Sequence, residues 1–452
     1  MKTSSRIFVT AAVAFAGALG IAAAQSAPVV DMSVAAPTIA ITGGKLLTIT
    51  HGVIENGTIV LSGGKIAAVG AADAVKIPDG AQVVDAKGMT VYPGLIDAET
   101  NLGLSEIEAD EASNDLAETS DEIFPNMHVY DAFHAETEHI PVTRLNGITN
   151  AIVAPASDDS LPGQDIFIQL AGRDSDQMIL GKDVAMPMNF SGDQRRRGGS
   201  KFPSTRMGLA SQLRQTFIDA QAYADSKTEY QTKLAKWQKG DKKEPAPTEP
   251  KIDLKSEALL PYLNGEKPVV LGAYEGYEVE VAMKIAQEFH LKVILNHITH
   301  TQEILDKVAA YKVPVIVGPI YDFPAANERY DSVYTLPAEL QKRGVKIAFG
   351  SAGGSGGSPG GFDRNLPYAA GYAVAYGLPY DEALKAITLN PAEMFGVADK
   401  LGSLDTGKDA NVVIANGDPL DVRTDVKQVY IQGHAIPMVS RQTRLRDEYS
   451  KH

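Results

Sequence analysis

Apolar residues are spaced in two ways along the chain, and the spacing divides it into two kinds of structure. Short apolar runs punctuated by glycine fill residues 38–92, and similar runs return at 411–415 and 428–431. Runs of this length, bounded by glycine-containing turns, are typical of antiparallel β-structure. We therefore predict one small β-sandwich built from both terminal regions, residues 38–92 and 402–436.

Between these regions, short apolar strands alternate with helical patterns. The predicted strands are 90–92 continuing into 94–96, 150–153, 268–271, 293–295, 313–317 and 345–349. The predicted helices are 279–289, 301–310, 337–343 and 380–389. This alternation indicates βαβ units around a parallel sheet. No Gly-x-Gly-x-x-Gly turn follows a first strand, so the fold class is α/β with a TIM-like (β/α)8 barrel over 93–401.

Three stretches depart from the alternation. Residues 206–252 begin with a long helical pattern, predicted over 206–238, and end in a proline- and lysine-rich segment, which indicates a surface excursion from the barrel. Residues 105–122 are dense in acid and lack apolar periodicity. They predict a solvated loop over the barrel mouth, with a cation site as the alternative. Residues 437–452 are predicted to form a C-terminal tail.

The first 24 residues have the composition of a targeting segment. Lys2 and Arg6 precede an apolar, alanine-rich run that ends in small residues at 22–24. This order is typical of a cleaved secretory signal peptide, residues 1–24, with an uncleaved membrane anchor as the alternative. We expect an exported protein, periplasmic or extracellular, that has no membrane association after signal removal.

Composition excludes several classes of chemistry. The formal net charge is −14, the wrong sign for a protein that neutralises nucleic-acid phosphates, so no nucleic-acid partner is expected. The chain has no cysteine, which excludes disulfides, Cys-ligated zinc and a thiol nucleophile. No Gly-x-Ser-x-Gly elbow supports a serine hydrolase. A metal site would have to use histidine, carboxylate or lysine side chains.

Several ordered motifs carry a resemblance to a known family. Residues 90–97 read Thr-Val-Tyr-Pro-Gly-Leu-Ile-Asp and resemble the entry to the first barrel strand of the amidohydrolase superfamily. Segments 203–208, 389–392 and 401–410 resemble the imidazolonepropionase-like branch of that superfamily. The resemblance spans residues 38–436. It implies a barrel with a split sandwich and a hydrolase that acts, with a divalent metal, on C–N bonds other than peptide bonds.

The resemblance also locates five positions that we call the family metal positions: 99, 101, 272, 297 and 352. Family members have a His-x-His pair at the first two, histidines at the next two and an aspartate at the last. This chain has Glu99, Asn101, Gly272, His297 and Ala352 there. Four of the five positions therefore lack their usual ligand, and only His297 is retained. A catalytic zinc generally needs three protein ligands.

Two hypotheses follow. In the first, the chain is a metal-deficient, non-catalytic or partner-dependent subunit without a cofactor, in a homo- or hetero-oligomer or beside a metal-complete amidohydrolase paralogue. In the second, it is an active amidohydrolase or dipeptidase-like hydrolase of N-acyl or peptide-like substrates. That site would comprise Glu99, Asn101, His297 and His300, with zinc or another divalent metal on His297. Alternatively, His297 is a hydrogen-bonded relic and His300 begins a helix.

Other polar clusters give weaker signals. The glycine-rich segment 351–361 is interpreted as a flexible lid or interface loop, because it lacks the phosphate-loop pattern. The arginines at 195–197 are interpreted as a solvated turn or salt-bridge partners. His128, His134 and His139 are spaced so that one helical face cannot carry all three, which argues against a metal site.

Overall fold

A computed structural model describes residues 29–107, 109–118, 120–191, 202–240, 245–298, 302–321, 324, 328–352 and 360–450. The predicted signal peptide, the arginines at 195–197, His300 and most of the glycine-rich loop lie outside these residues.

The described strands and helices alternate through the centre of the chain. The strands are β1 Ile39–Leu47, β2 Val53–Ser62, β3 Lys65–Ala71, β4 Gln82–Asp85, β5 Thr90–Pro93, β6 Leu95–Thr100, β7 Ile148–Val153, β8 Ile166–Gln169, β9 Ile179–Gly181, β10 Met186–Asn189, β11 Val269–Gly272, β12 Val293–Asn296, β13 Val315–Val317, β14 Ile347–Phe349, β15 Val412–Ala415, β16 Val426–Ile431 and β17 His434–Ile436. The helices are α1 His139–Arg144, α2 Ser175–Met178, α3 Arg206–Lys239, α4 Leu254–Leu263, α5 Gly276–Glu288, α6 Leu305–Tyr311, α7 Ser332–Lys342, α8 Leu366–Ala375, α9 Tyr380–Ala386, α10 Leu389–Met394 and α11 Arg441–Tyr449.

Strands from both ends of the chain form one mixed sheet. Its order is β17-β16-β15-β5-β1-β2-β3, and β4 pairs with β1. β15 lies antiparallel to β5, which joins the carboxyl-terminal strands to the amino-terminal ones. Side chains such as Ile41, Ile59, Val412 and Ile414 pack in a shared apolar cluster. The terminal β regions therefore join as one sheet, although this pairing does not by itself establish a two-layered sandwich.

A second sheet contains five parallel strands in the order β10-β11-β12-β13-β14. Helices α5, α6 and α7 connect its last four strands, which is the predicted βαβ arrangement. Each of these strands has an almost uninterrupted apolar sequence because helices cover parallel sheets. The strands predicted at 268–271, 293–295, 313–317 and 345–349 are confirmed as members of this sheet.

A third sheet has the order β6-β7-β8-β9, in which β6 and β7 are parallel and β8 is antiparallel to β7. Its first strand lies against the last strand of the second sheet. The backbone N–H groups of Ser351 and Ala352 donate to the Glu99 carbonyl at 2.8 and 2.9 Å. Ala98 and Ala348 also share an apolar cluster. The strand ladders of the described residues do not alone define a closed eight-stranded barrel.

The long helix predicted after residue 206 is observed as α3. The side chain of Thr205 caps it by accepting from the Gly208 N–H at 3.1 Å. All of its buried residues lie in its first half, among them Leu213 and Phe217, which packs on Phe289 with ring centroids 5.0 Å apart. The second half, from residue 221 onward, has no buried residue.

The predicted C-terminal tail is corrected in one respect, because it contains helix α11. Ser440 and Thr443 form a reciprocal capping box, in which each side chain accepts a hydrogen bond from the backbone of the other. None of the described helices combines the length and the apolar composition that a bilayer crossing requires.

Candidate functional site

The retained histidine of the family metal positions lies against a carboxylate. His297 follows β12 directly, and its Nε2 is 3.4 Å from the Glu99 Oε2 at the end of β6. The Asn296 side-chain amide donates to the same Glu99 oxygen. Both members of the pair are buried, with 3% of His297 and 7% of Glu99 exposed. The structure therefore brings Glu99 and His297 together, as the resemblance implies.

The local environment of His297 favours its protonated form. Burial lowers the pKa of the imidazole, but the Glu99 carboxylate beside Nε2 and the Gly318 backbone outweigh this effect and raise it above its usual value. The Tyr274 ring stacks on the imidazole with centroids 5.5 Å apart. The His297 backbone has a φ of 56°, which is uncommon for a residue with a Cβ. An imidazole must be neutral to bind a metal, so the Glu99 contact opposes that role.

Asn101, two residues beyond Glu99, is engaged elsewhere. Its side-chain amide donates to the Ala154 carbonyl at 2.8 Å, at the end of the neighbouring strand β7. Only 8% of Asn101 is exposed. The amide therefore joins two strand ends, and it shares no hydrogen bond with Glu99 or His297 among the contacts found in the described residues.

The volume beside Gly272 is taken by another polar side chain. A Cβ placed on Gly272 would lie 2.6 Å from the Asn189 Oδ1 and 3.5 Å from the His297 Cδ2. Asn189 is held in this position because its amide donates to the Asp159 carbonyl at 2.8 Å. Any larger residue at 272 would have to displace this asparagine. The family histidine position is thus filled from strand β10.

Ala352 lies near a buried carboxyl pair formed by Asp97 and Asp363. The Ser351 hydroxyl donates to the Asp363 Oδ1, and the Thr100 hydroxyl donates to its Oδ2, both at 2.7 Å. The backbone N–H groups of Glu99 and Ser351 donate to the Asp97 Oδ1 at 3.2 and 3.1 Å. Burial raises the pKa of Asp363 to about 6, and burial together with the Asp363 charge raises the pKa of Asp97.

A third buried acid, Asp165, lies beside β7. Its exposed fraction is 1%, and its Oδ1 has no hydrogen-bond partner in the described part of the chain. Burial and the Glu99 charge raise the pKa of Asp165 well above its ordinary value. Asp165 is therefore a further buried acid, close enough to Glu99 for the charge of Glu99 to raise its pKa.

Sequence reasoning missed Asn189, Asn296, Asp165 and Asp363. The two asparagines terminate strands β10 and β12, so a search for polar residues at strand ends would have found them. Asp165 precedes β8, a strand that was not predicted. Asp363 is eleven residues beyond the family position at 352, and no local pattern connects the two. His300 cannot be placed, because it lies outside the described residues.

The three other histidines singled out by their spacing have separate partners. His128 Nδ1 is 2.7 Å from the Asp183 Oδ1, and His134 Nε2 is 3.3 Å from the Asp115 Oδ2. His139 Nε2 lies 3.3 Å from the Glu106 carbonyl oxygen. Each imidazole is therefore bound at a different place.

Comparison with known proteins gives the class of the chain. The amidohydrolase family profile matches residues 263–436. A crystal structure of an amidohydrolase from Thermotoga maritima MSB8 superposes with a TM-score of 0.78 at 28% identity, covering 88% of this chain and 99% of that chain. Residues 263–436 thus match an amidohydrolase family domain, and the α/β fold matches amidohydrolase structures, which are typically TIM barrels. Domain and fold together make the chain similar to proteins of the amidohydrolase superfamily.

Relatives in sequence are more distant. The amidohydrolase tasK of Hapsidospora irregularis is 25% identical over 379 residues, which make up 80% of this chain and 38% of that protein. A 5-methylthioadenosine/S-adenosylhomocysteine deaminase of Thermoanaerobacter pseudethanolicus is 26% identical over 137 residues, 29% of this chain and 30% of that protein. The chain therefore spans well under half the length of the curated relatives it matches.

The amidohydrolase family usually uses divalent metals, which need several convergent side-chain ligands. The family metal positions supply one carboxylate and one imidazole, which bind each other, and an amide that is bound to Ala154. Within the described ranges, no group of three or more His, Asp or Glu side chains has the arrangement of a metal site. The described residues therefore do not fit a divalent ion at these positions.

Proposed function

We propose that this chain is an exported amidohydrolase-superfamily protein whose family metal centre is replaced by a hydrogen-bonded polar cluster. It serves as a non-catalytic or partner-dependent subunit. The observation that supports this proposal is the occupation of the Glu99 carboxylate by Asn296 and by His297, the retained family histidine. A carboxylate and an imidazole that neutralise each other are poor ligands for a cation, because binding would break their contact.

The neighbouring contacts support the same proposal. In a metal-dependent hydrolase, the ion activates water and polarises the substrate carbonyl, and it needs convergent ligands. Here Asn189 fills the space beside Gly272, and Asn101 joins two strand ends. Four of the five family metal positions, 99, 101, 272 and 297, therefore make or adjoin contacts that compete with metal binding.

Metal content and turnover test this proposal. The protein should be purified from its native host, incubated with Zn²⁺, desalted and measured by elemental mass spectrometry. N-acyl amino acids and dipeptides should then be offered as substrates. We expect substoichiometric metal and no hydrolysis. A stoichiometric ion, retained by this chain alone and accompanied by turnover, would overturn the proposal.

Export and partnership have separate tests. The pattern at residues 1–24 supports processing by a signal peptidase, and amino-terminal sequencing of the native protein should show cleavage within the alanine run. Fractionation should place the protein in the periplasm or medium. The native mass of the purified protein identifies a homo-oligomer, and the composition of co-purified material identifies a metal-complete paralogue. A full-length monomer in the cytoplasm would contradict both expectations.

The contact between Glu99 and His297 also favours a second candidate function, an active hydrolase of N-acyl or peptide-like substrates with a rearranged centre. An adjacent carboxylate and imidazole are the usual components of acid–base catalysis. In this case His297→Ala should abolish turnover. His51 is an exposed histidine paired with Asp405, and the control variant His51→Ala should leave turnover unchanged. No detectable turnover in the unmodified protein, or equal turnover in the three proteins, would eliminate this candidate.

A further inference from the structure

A cavity of about 390 Å³ lies between two loops at the carboxyl ends of the strands. One wall comes from the segment that follows β6 and includes Leu104 and residues 114–118, 126–129, 131 and 132. The other wall comes from the segment that follows β7 and includes Pro155 and Pro162. Loops at this end of strands form the ligand sites of αβ-barrels. The volume is within the range of small-molecule pockets.

Backbone hydrogen bonds fix the two walls to each other. The Phe124 N–H donates to the Leu161 carbonyl at 2.7 Å, and the Ala156 N–H donates to the Leu116 carbonyl at 2.9 Å. The Gln164 N–H donates to the Met127 carbonyl at 2.9 Å. The cavity is therefore formed before any ligand arrives, which reduces the entropic cost of binding.

The polar lining of the cavity is dominated by hydrogen-bond acceptors. Asp115, Glu118 and Asp131 contribute carboxylates, and no lysine or arginine is among the lining residues. The imidazole of His128 is already bound to Asp183 outside the cavity. The Asn126 Oδ1 is a buried acceptor with no hydrogen-bond partner among the described residues. A ligand that satisfies this lining must supply hydrogen-bond donors and positive charge.

The remainder of the lining is apolar. Leu116, Met127 and Pro155 are half-buried and present apolar surface to the cavity, and Leu104 and Val129 are buried behind it. Exposed carboxylates alone would be solvated, whereas this lining also offers apolar surface that water wets poorly. The combination suits a ligand with a charged end and an apolar skeleton.

The cavity adjoins the strand ends joined by Asn101. Asn101 donates to the carbonyl of Ala154, and the next residue, Pro155, lines the cavity. Neither Glu99 nor His297 is among the lining residues. A ligand in the cavity would therefore require neither of these two side chains.

We propose that this cavity binds a small molecule that carries a protonated amine on an apolar skeleton. The inference rests on the proposed function in one respect: the ligand is bound and released without hydrolysis by this chain. It also gives a role to the acidic stretch at 105–122, which the sequence indicates only as a solvated loop or a cation site.

Calorimetric titration of the full chain tests the proposal, with hexylamine as the probe. Hexan-1-ol and hexanoate keep the apolar skeleton and replace the ammonium by a neutral or a negative group. All titrations contain a chelator, at neutral pH and constant ionic strength. We expect heat of binding for hexylamine, weaker binding for hexan-1-ol and none for hexanoate.

Variants locate the binding site. Asp115→Asn/Asp131→Asn should weaken hexylamine binding about tenfold or more, because hydrogen bonds to charged groups are the stronger ones. Asp73→Asn/Asp79→Asn changes the net charge equally at an exposed loop away from the cavity, and affinity should not change. Ala117→Trp, at an exposed residue of the lining, should fill the cavity and remove binding of every probe.

Three results would overturn the inference: no binding of hexylamine, equal binding of hexanoate, or hexylamine affinity that is unchanged in both cavity variants. Thermal unfolding of each variant identifies any loss of fold. The charge-removing variant and the cavity-filling variant change different residues, so misfolding of one leaves the test by the other intact. A bound catalytic metal would defeat the proposed function and leave this binding result intact, because the titration is performed in a chelator. Absence of amine binding would defeat only the cavity proposal.

Discussion

Single polar residues at the strand ends contact and hold one another. Gly272 stands where the resemblance expects a histidine, and the volume beside it is occupied by the anchored side chain of Asn189. Similarly, Glu99 is held by Asn296 and His297. Buried polar groups are costly when left without hydrogen bonds, so each replacement requires a partner nearby.

Gly272→Ala tests this packing. The new methyl would meet the Asn189 Oδ1, so we expect a loss of about 1–3 kcal/mol in the free energy of unfolding, typical of overpacking. Adding Asn189→Ala should remove the contact, so the double variant should lose less free energy of unfolding than the sum of the two single variants. Gly240→Ala, at a helix end with a φ of −85°, is the control and should cost little. Urea denaturation measures each value, and strict additivity would contradict the contact.

The carboxyl of Asp363 predicts a pH dependence of stability. Its pKa is raised from 3.8 to about 6 in the folded chain because it is buried. The folded state therefore binds its proton more tightly than the unfolded state. The resulting stabilisation is complete below pH 4 and is lost as pH rises through about 6, at roughly 1 kcal/mol per pKa unit.

Asp363→Asn keeps the shape of the side chain and removes this titration. We expect the variant to lose less stability than the original protein between pH 4 and 7, as measured by urea denaturation across that range. Asp79→Asn, on an exposed loop, should leave the pH dependence of the original protein unchanged. Identical pH profiles for the Asp363 variant and the original would show that this carboxyl does not contribute.

At the scale of elements, helix α3 illustrates how far periodicity predicts structure. Its extent follows from helix-forming residues between Thr205 and Gly240, and the predicted range of 206–238 agrees within one residue. Its apolar residues predict less well which turns are buried. Only the first half packs on the core, whereas the described contacts of the second half with α4 include hydrogen bonds from Tyr223 and Lys227 to Glu257 and bury none of its residues.

Leucine substitutions along α3 measure this difference. Leu213 is fully buried, whereas Leu234 is only partly covered. We expect Leu213→Ala to lower the free energy of unfolding by about 2–5 kcal/mol and Leu234→Ala by less than about 1 kcal/mol. Both variants keep the helix propensity high, since alanine favours helix. Equal effects in thermal or urea denaturation would refute the division of the helix.

At the scale of the whole molecule, the two ends of the chain depend on each other. β15 lies between β16 and β5, so the carboxyl-terminal strands complete a sheet that begins at Ile39. Tyr430 and Ile414 belong to the same apolar cluster as Ile41 and Leu46. Removing these strands would expose that cluster and leave the edge of β5 that pairs with β15 without a partner.

Two truncations should separate these contributions. A chain that ends at residue 411 loses β15, β16 and β17, and we expect it to be insoluble or to lack a cooperative unfolding transition. A chain that ends at residue 439 loses only α11, which has no buried residue, and should fold with a small loss of stability. Circular dichroism and thermal melting measure both. A cooperative transition in the shorter chain would contradict the shared core.

Several features were predictable from the sequence. Four of the five strands of the parallel sheet, the helices that connect those four and the β regions at both ends follow from local periodicity, whereas β10 was not predicted. Four family metal positions without their usual ligand were also visible, because a resemblance assigns residues directly. The ladder order of the three sheets and the strands β8 and β9 were not predictable, because they depend on long-range pairing and short segments.

The amino-acid sequence by itself determined most of the strands and helices and, through the resemblance, which residues stand at the family metal positions, since both depend on residue type and spacing along the chain. Only the tertiary structure decided what occupies the vacated positions. Asn189, Asp165 and Asp363 reach the strand ends from distant segments, and the cavity walls come from two separate loops. Those arrangements are set by the packing of strands and loops in three dimensions, for which local periodicity has no signal.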